Sequence, residues 1–123
     1  MITVEEALEI HAILLDSFGG KSGTRDRGLL EAALQRPYQT FDNKELYPSA
    51  IDKSAAILES IVKNHPFVDG NKRVGYVLAR LILMANGKDI VADQETKYQF
   101  VMGVADGSQD FQQIKDWIEK HSS

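Results

Sequence analysis

The chain has 123 residues, no cysteine, and 14 Lys and Arg against 18 Asp and Glu, for a formal net charge of −4. That length suits one domain spanning residues 1–123, with room for a real core and not for two. The absence of cysteine excludes disulfide frameworks and thiolate metal sites, and the mild acidity argues against direct DNA binding. The N-terminus turns acidic at Glu5 and Glu6, unlike a secretory signal, and the longest apolar run, residues 77–85, is broken by Arg80. A cytoplasmic protein with no membrane partner is the expectation.

Helical periodicity dominates. Thr3 and Glu6 form a capping box, and Val4, Leu8, His11, Leu15 and Phe18 recur at helical spacing until Gly19-Gly20 stops the run. On that stripe His11 reads as a core histidine. Asp26 is placed to cap a short helix with Leu29, Leu30, Ala33 and Leu34, ending before Pro37. Residues 37–48 change character: Tyr38, Phe41 and Tyr47 flank Asp42-Asn43, which predicts a short hairpin or extended excursion turning there. From Ser49 the helical spacing returns and runs to His65, where Pro66 disfavours the α conformation.

A loop over 66–70 follows, and Asn71 is placed to cap the next helix, 72 to about 86. That helix carries Val74, Val77, Leu78, Leu81, Ile82, Leu83 and Met84, apolar nearly all round, so it reads as the buried centre of the molecule. Two more helices, about 93–106 and 109–120, complete the chain, with His121 as a frayed tail residue. The expectation is an all-α bundle of about six helices around a buried central one, with a short extended flap.

The chemistry concentrates in His65-Pro66-Phe67-Val68-Asp69-Gly70-Asn71-Lys72-Arg73. A helix start leaves backbone N–H groups free and carries positive partial charge, so it suits anions. Gly70 lets the backbone approach a ligand closely. Lys72 and Arg73 oppose the helix dipole, a local cost that points to a ligand and not to helix stability. Asp69 beside phosphates suits Mg²⁺, and His65 suits removal of a proton from a hydroxyl nucleophile. Base, metal ligand and phosphate grip within nine residues are the parts needed for phosphoryl or nucleotidyl transfer. Taken singly, each has a bland reading: Asp69 and Asn71 as helix caps, Lys72 and Arg73 as a solvated pair. The joint spacing favours the functional one. A second phosphate-loop likeness, Gly20-Lys21-Ser22, fails because Leu15 stands where the first glycine belongs and a helix precedes it.

The nine-residue stretch resembles the signature of the Fic/Doc fold, and the chain is similar to its Doc (death-on-curing) branch. Gly19-Gly20, Gly23, Arg25-Asp26 and the run from Gly28 to Leu34 extend the likeness, which covers roughly residues 3–120. The resemblance implies a toxin of a toxin–antitoxin module that modifies a hydroxyl of a target protein, a translation elongation factor being the substrate class. It implies His65 as base, Asp69 on Mg²⁺, and Gly70, Asn71 and Arg73 on the nucleotide phosphates. Phe67 is implied as a buried anchor, and residues 38–47, with Tyr38 and Phe41, as a flap that aligns target backbone.

Position 72 separates two chemistries within that resemblance. Most adenylyl-transferring relatives have glycine there; Lys72 matches the Doc branch, where it goes with a reversed ATP whose γ-phosphoryl faces the acceptor. The second motif arginine, three residues after Arg73, is replaced by Tyr76. Protein phosphorylation from Mg-ATP is therefore the expectation, with adenylylation, and then a degenerate nucleotide-binding module, as the rivals. No Glu is followed by Gly or Asn, so an inhibitory helix of the Fic type is absent and inhibition is expected in trans, from an antitoxin.

Charge is divided along the chain. Residues 1–20 hold four acidic and no basic residues, 21–88 hold 11 basic and seven acidic, and 89–123 hold three basic and seven acidic. The positive middle is the part assigned to nucleotide and target.

Overall fold

The computed structural model describes residues 1–123. Six helices follow one another: α1 (Val4–Phe18), α2 (Arg27–Gln35), α3 (Ala50–Asn64), α4 (Asn71–Met84), α5 (Gln94–Ala105) and α6 (Phe111–His121). A 3₁₀ turn, Arg36–Tyr38, and a two-stranded hairpin, β1 (Thr40–Phe41) and β2 (Lys44–Glu45), lie between α2 and α3. The all-α bundle with a short flap is as the sequence predicts. No helix is long and apolar enough to cross a membrane.

Thr3 and Glu6 close the expected capping box on α1, and Asp26 caps α2 through the Leu29 N–H as expected. The structure adds a second box, Ser49 with Asp52, at the start of α3. Asp42 and Asn43 both adopt positive φ, 54° and 63°, as a two-residue I′ hairpin turn requires, with Thr40 opposite Glu45 and Phe41 opposite Lys44.

One apolar cluster of 20 buried residues, including Leu30, Leu58, Phe67, Leu78, Phe100 and Ile118, takes contributions from every helix. The enclosed centre differs in detail from the sequence reading. It is α3 that is packed on all sides, with nine buried residues, while α4 buries seven and leaves Lys72, Arg73, Met84 and part of Tyr76, Val77 and Arg80 uncovered. The small residues Ser54, Ala55, Ala56 and Ser60 let neighbours close on α3, which uniform apolarity does not reveal. At the α3–α4 contact a side chain on Gly75 would stand 2.9 Å from a Val62 methyl, so glycine sets that spacing.

The C-terminal end is pinned as well. Asp89 and Ser123 exchange two backbone hydrogen bonds at 3.1 and 3.0 Å, and Val91 N–H donates to the His121 carbonyl at 2.6 Å. His121 also stacks on Trp117 at 4.1 Å, and Trp117 on Phe100 at 3.8 Å. His121 is therefore the last helical residue of a fastened end and not a frayed tail.

Candidate active site

The motif loop bridges the C-terminus of α3 and the N-terminus of α4. His65 caps α3 in the left-handed conformation (φ 51°, ψ 60°), where the chain turns sharply out of the helix; Pro66 disfavours continuing in the right-handed α region. A non-glycine residue held there costs about 1 kcal/mol or more, which the surroundings must supply. The imidazole is exposed at the rim.

The loop is fastened at its middle. Phe67 is fully buried and its ring stacks on His11, centroids 4.0 Å apart with planes inclined by 12°. The Asn71 side chain accepts from the Phe67 N–H and donates to the Phe67 carbonyl, both at 3.0 Å and both buried. The capping role expected of Asn71 is thus corrected. Gly70, at φ 83°, is the N-cap of α4, no side chain caps that helix, and Asn71 is its first residue. One bond at each amide atom ties the Asn71 side chain to the loop, and its backbone N–H is free at the helix start.

The first hydrogen bond of the α4 start runs from Val74 N–H to the Gly70 carbonyl at 3.0 Å, which leaves the N–H groups of residues 71–73 at an open helix end. Lys72 and Arg73 are exposed there, and none of the six ion pairs of the molecule includes them. The Arg73 guanidinium lies over the Phe18 ring, 4.2 Å from its centroid, which steadies it without neutralising it. Two free cations and an uncapped helix start form a strong anion cradle.

Asp69 sits at the edge of that cradle. Its carboxylate accepts from Lys21 N–H at 3.0 Å and from Gly70 N–H at 2.9 Å. These bonds, the Lys21 one foremost, hold the Asp69 carboxyl below the usual carboxylate range, so it is ionised near neutrality. Its main-chain carbonyl accepts from His11 Nε2 at 2.8 Å. No group of three or more His, Cys, Asp or Glu side chains comes together anywhere. One ionised carboxylate beside a phosphate cradle fits Mg²⁺, which fills its shell with phosphate oxygens and water.

A cleft of about 750 Å³ opens along α4, lined by Asp69, Gly70, Asn71, Lys72 and Arg73 at one end and by Arg80, Lys97 and Tyr98 at the other. Leu14 and Phe18 of α1 and Val101 and Met102 of α5 form its apolar walls. The Tyr76 ring also lines it, with a buried hydroxyl that has no partner and whose pKa burial pushes up. His65 is exposed and is not among the residues that line the cleft. Tyr38 ends the 3₁₀ turn and Phe41 lies in the hairpin; both are exposed, Phe41 by 75%, and neither lines the cleft that holds the phosphate cradle.

Four residues that periodicity leaves unassigned complete the site. His11 has the stripe position of a core residue and is buried, yet its ring nitrogen reaches the motif loop. Gly20, Lys21 and Arg25 lie in the α1–α2 connection, 40 or more residues away in sequence, and clasp that loop from outside. A side chain on Gly20 would meet Asp69 Oδ2 at 2.9 Å, so glycine is what admits the carboxylate. In the sequence Gly19-Gly20 reads as a helix stop and His11 as a core residue, and Gly20 and Arg25 figure otherwise only in the family likeness, with no role in holding the loop.

One loop of this helical fold presents an exposed histidine, an ionised aspartate and a cationic, uncapped helix start, an arrangement that can bind a phosphate ester. The model of the Fic/DOC family matches residues 1–83, about two thirds of the length, and the chain belongs to that family. It is 46% identical over 77 residues to Toxin Doc of Mycolicibacterium smegmatis, an alignment covering 63% of this chain and 59% of that relative, which puts it on the Doc side of the family. The chain thus spans about three fifths of the length of this curated relative.

Proposed function

We propose that this protein transfers the γ-phosphoryl group of Mg-ATP to a Ser or Thr hydroxyl of a target protein, as a toxin held in check by an antitoxin in trans. The observation that carries the reading is the pair of unpaired cations, Lys72 and Arg73, at the uncapped start of α4, with the ionised Asp69 beside them. Bound Mg²⁺ would neutralise phosphate charge and orient the phosphates. Asp69 would hold it, and the 71–73 N–H groups, Lys72 and Arg73 would grip phosphate oxygens as charge builds on the transferred group.

His65 takes the acceptor's hydroxyl proton on a ring nitrogen. Its exposure at the rim suits a bulky protein acceptor. The exposed hairpin offers backbone edges for target chain to pair with, and Phe41 gives it an apolar contact. An elongation factor of translation is the proposed target class, and the reaction would take place in the cytoplasm. Lys72 favours phosphorylation over adenylylation because its long cationic side chain occupies space at the cradle that an α-phosphate facing the acceptor would need.

The deciding experiment supplies the protein, Mg²⁺ and a cell lysate with ATP labelled in either the α- or the γ-phosphate. Protein-bound label from γ- and not α-labelled ATP is expected. The reverse pattern would establish adenylylation, and no label from either would leave a binding module. His65→Ala is expected to abolish transfer, by a factor of about 10²–10⁴, while ATP binding persists. Full transfer by that variant would remove His65 from the role of base.

A further inference from the structure

The strained conformation at His65 needs something to hold it, and the structure supplies a single side chain for the purpose. The Arg25 guanidinium donates from Nε to the His65 carbonyl and from Nη2 to the Asn64 carbonyl, each at 2.6 Å. These two carbonyls belong to the last residue and the cap of α3, the negative end of the helix, where a cation is favoured. The guanidinium takes part in none of the ion pairs, so its charge is directed at these carbonyls alone.

The main chain around Arg25 grips the next residues as well. Arg25 and Asp26 N–H both donate to the Pro66 carbonyl, at 2.7 and 3.0 Å, and Val68 N–H donates to the Gly23 carbonyl at 3.0 Å. The backbone at His65 is therefore fixed on one side by Pro66 and on the other by Arg25. The φ and ψ at His65 set the direction of its Cα–Cβ bond, and with it the range of positions its rotamers give the imidazole.

We infer that Arg25 is a positioning residue for His65: its forked hydrogen bonds to the Asn64 and His65 carbonyls hold the left-handed cap that aims the imidazole at the acceptor hydroxyl. The inference rests on the reading of His65 as base. Arg25 is not among the residues that line the cleft at the phosphate cradle. The phosphate cradle at the start of α4 is built from other groups, so loss of Arg25 must separate turnover from nucleotide binding. A lysine provides one point donor in place of a planar fork and can restore only part of the geometry.

The test compares the wild type with Arg25→Ala and Arg25→Lys, reading the His65 Cα and Cβ chemical shifts, Mg-ATP affinity by calorimetry, and labelled phosphoryl transfer. In Arg25→Ala the His65 shifts are expected to leave the left-handed range and turnover to fall about 10–100-fold, with nucleotide affinity within about twofold of wild type. Added guanidinium ion should restore part of that turnover, which a merely destabilised protein would not show. Arg25→Lys should fall between the two, and it carries the test if the alanine variant does not fold. Unchanged His65 shifts, or turnover and nucleotide affinity falling in parallel, would overturn the inference. A wild type that transfers no label sinks the transfer reading, while the shift comparison alone still decides whether Arg25 sets the His65 backbone.

Discussion

His11 and Asp69, 58 residues apart, are joined by a 2.8 Å hydrogen bond from the His11 ring to the Asp69 main-chain carbonyl. The same ring stacks on Phe67, so one buried side chain of α1 holds the motif loop at two points. His11→Phe separates these contributions, because it keeps an aromatic ring and removes the donor. Leaving the carbonyl without its partner should cost about 1–3 kcal/mol of stability. Urea unfolding measures that loss, and nucleotide affinity should weaken with it as the Asp69 carboxylate loses its fixed backbone. A variant as stable as wild type would show that stacking alone seats the loop.

Gly20 gives the most specific prediction about Asp69, the proposed metal ligand. In Gly20→Ala the added methyl would approach Asp69 Oδ2 to 2.9 Å and a Leu15 methyl to 3.0 Å, at φ 121°. The carboxylate must then move, or the loop must, and either breaks the bond from Lys21 N–H. Mg²⁺-dependent ATP binding should weaken about tenfold or more, with stability reduced by about 1–3 kcal/mol. Calorimetry with and without Mg²⁺ distinguishes the two effects, because affinity measured without the ion should change less. Equal losses in both conditions would place the damage in the fold and not at Asp69.

Much of this molecule was legible because its signals are local. Capping boxes, the Asp42-Asn43 turn and the 3.6-residue spacing act within a few residues, and the helices fall where those signals put them. The candidate site was legible for the same reason, since His65, Asp69, Lys72 and Arg73 share one short stretch of chain. What periodicity could not show was every contact that depends on the fold bringing distant segments together. Asn71 has the residue type and position of a cap, yet its amide turns inward to Phe67 because that loop has buried backbone groups to satisfy. The choice of α3 as the enclosed helix follows from small side chains that make room for neighbours, a property of pairs of helices and not of one sequence window. His11, Gly20 and Arg25 belong to the same class of residue. Each looks ordinary in its own segment and acquires a purpose only against the loop at 65–70.

Acid should loosen the C-terminal clasp. Arg80 donates to both oxygens of Asp89, at 2.9 and 2.8 Å, and this guanidinium holds the Asp89 carboxyl down at about 2. A carboxylate with a depressed folded-state pKa stabilises the protein above its unfolded value near 3.8, and that stabilisation is lost as pH falls toward 2. Because the Asp89 side chain is 35% exposed, solvent screening limits the contribution to about 0.5–1 kcal/mol. Urea unfolding of wild type and Asp89→Asn should differ by about that amount at pH 6 and converge between pH 4 and pH 2. A gap that stays constant down to pH 2 would show that charge at Asp89 is not what secures this end.

The hairpin yields the prediction that bears on target recognition. Phe41 is 75% exposed on a two-residue strand, and its neighbours Thr40, Lys44 and Glu45 are exposed too, so its ring contributes little to the fold. The hairpin is held to the body by other residues. Arg36 donates to the Tyr47 hydroxyl and the Ser60 hydroxyl, each at 3.0 Å, and Lys53 binds Glu45 at 2.8 Å. Phe41→Ser should therefore change stability by no more than about 0.5 kcal/mol and leave ATP affinity unaltered. If the hairpin pairs with target chain, losing an apolar contact of that size should raise KM for the protein acceptor about tenfold, with kcat little changed. Steady-state transfer to a purified acceptor separates the outcomes. An unaltered KM would take Phe41 out of target docking, and a fall in kcat at constant KM would assign the hairpin to the chemical step instead.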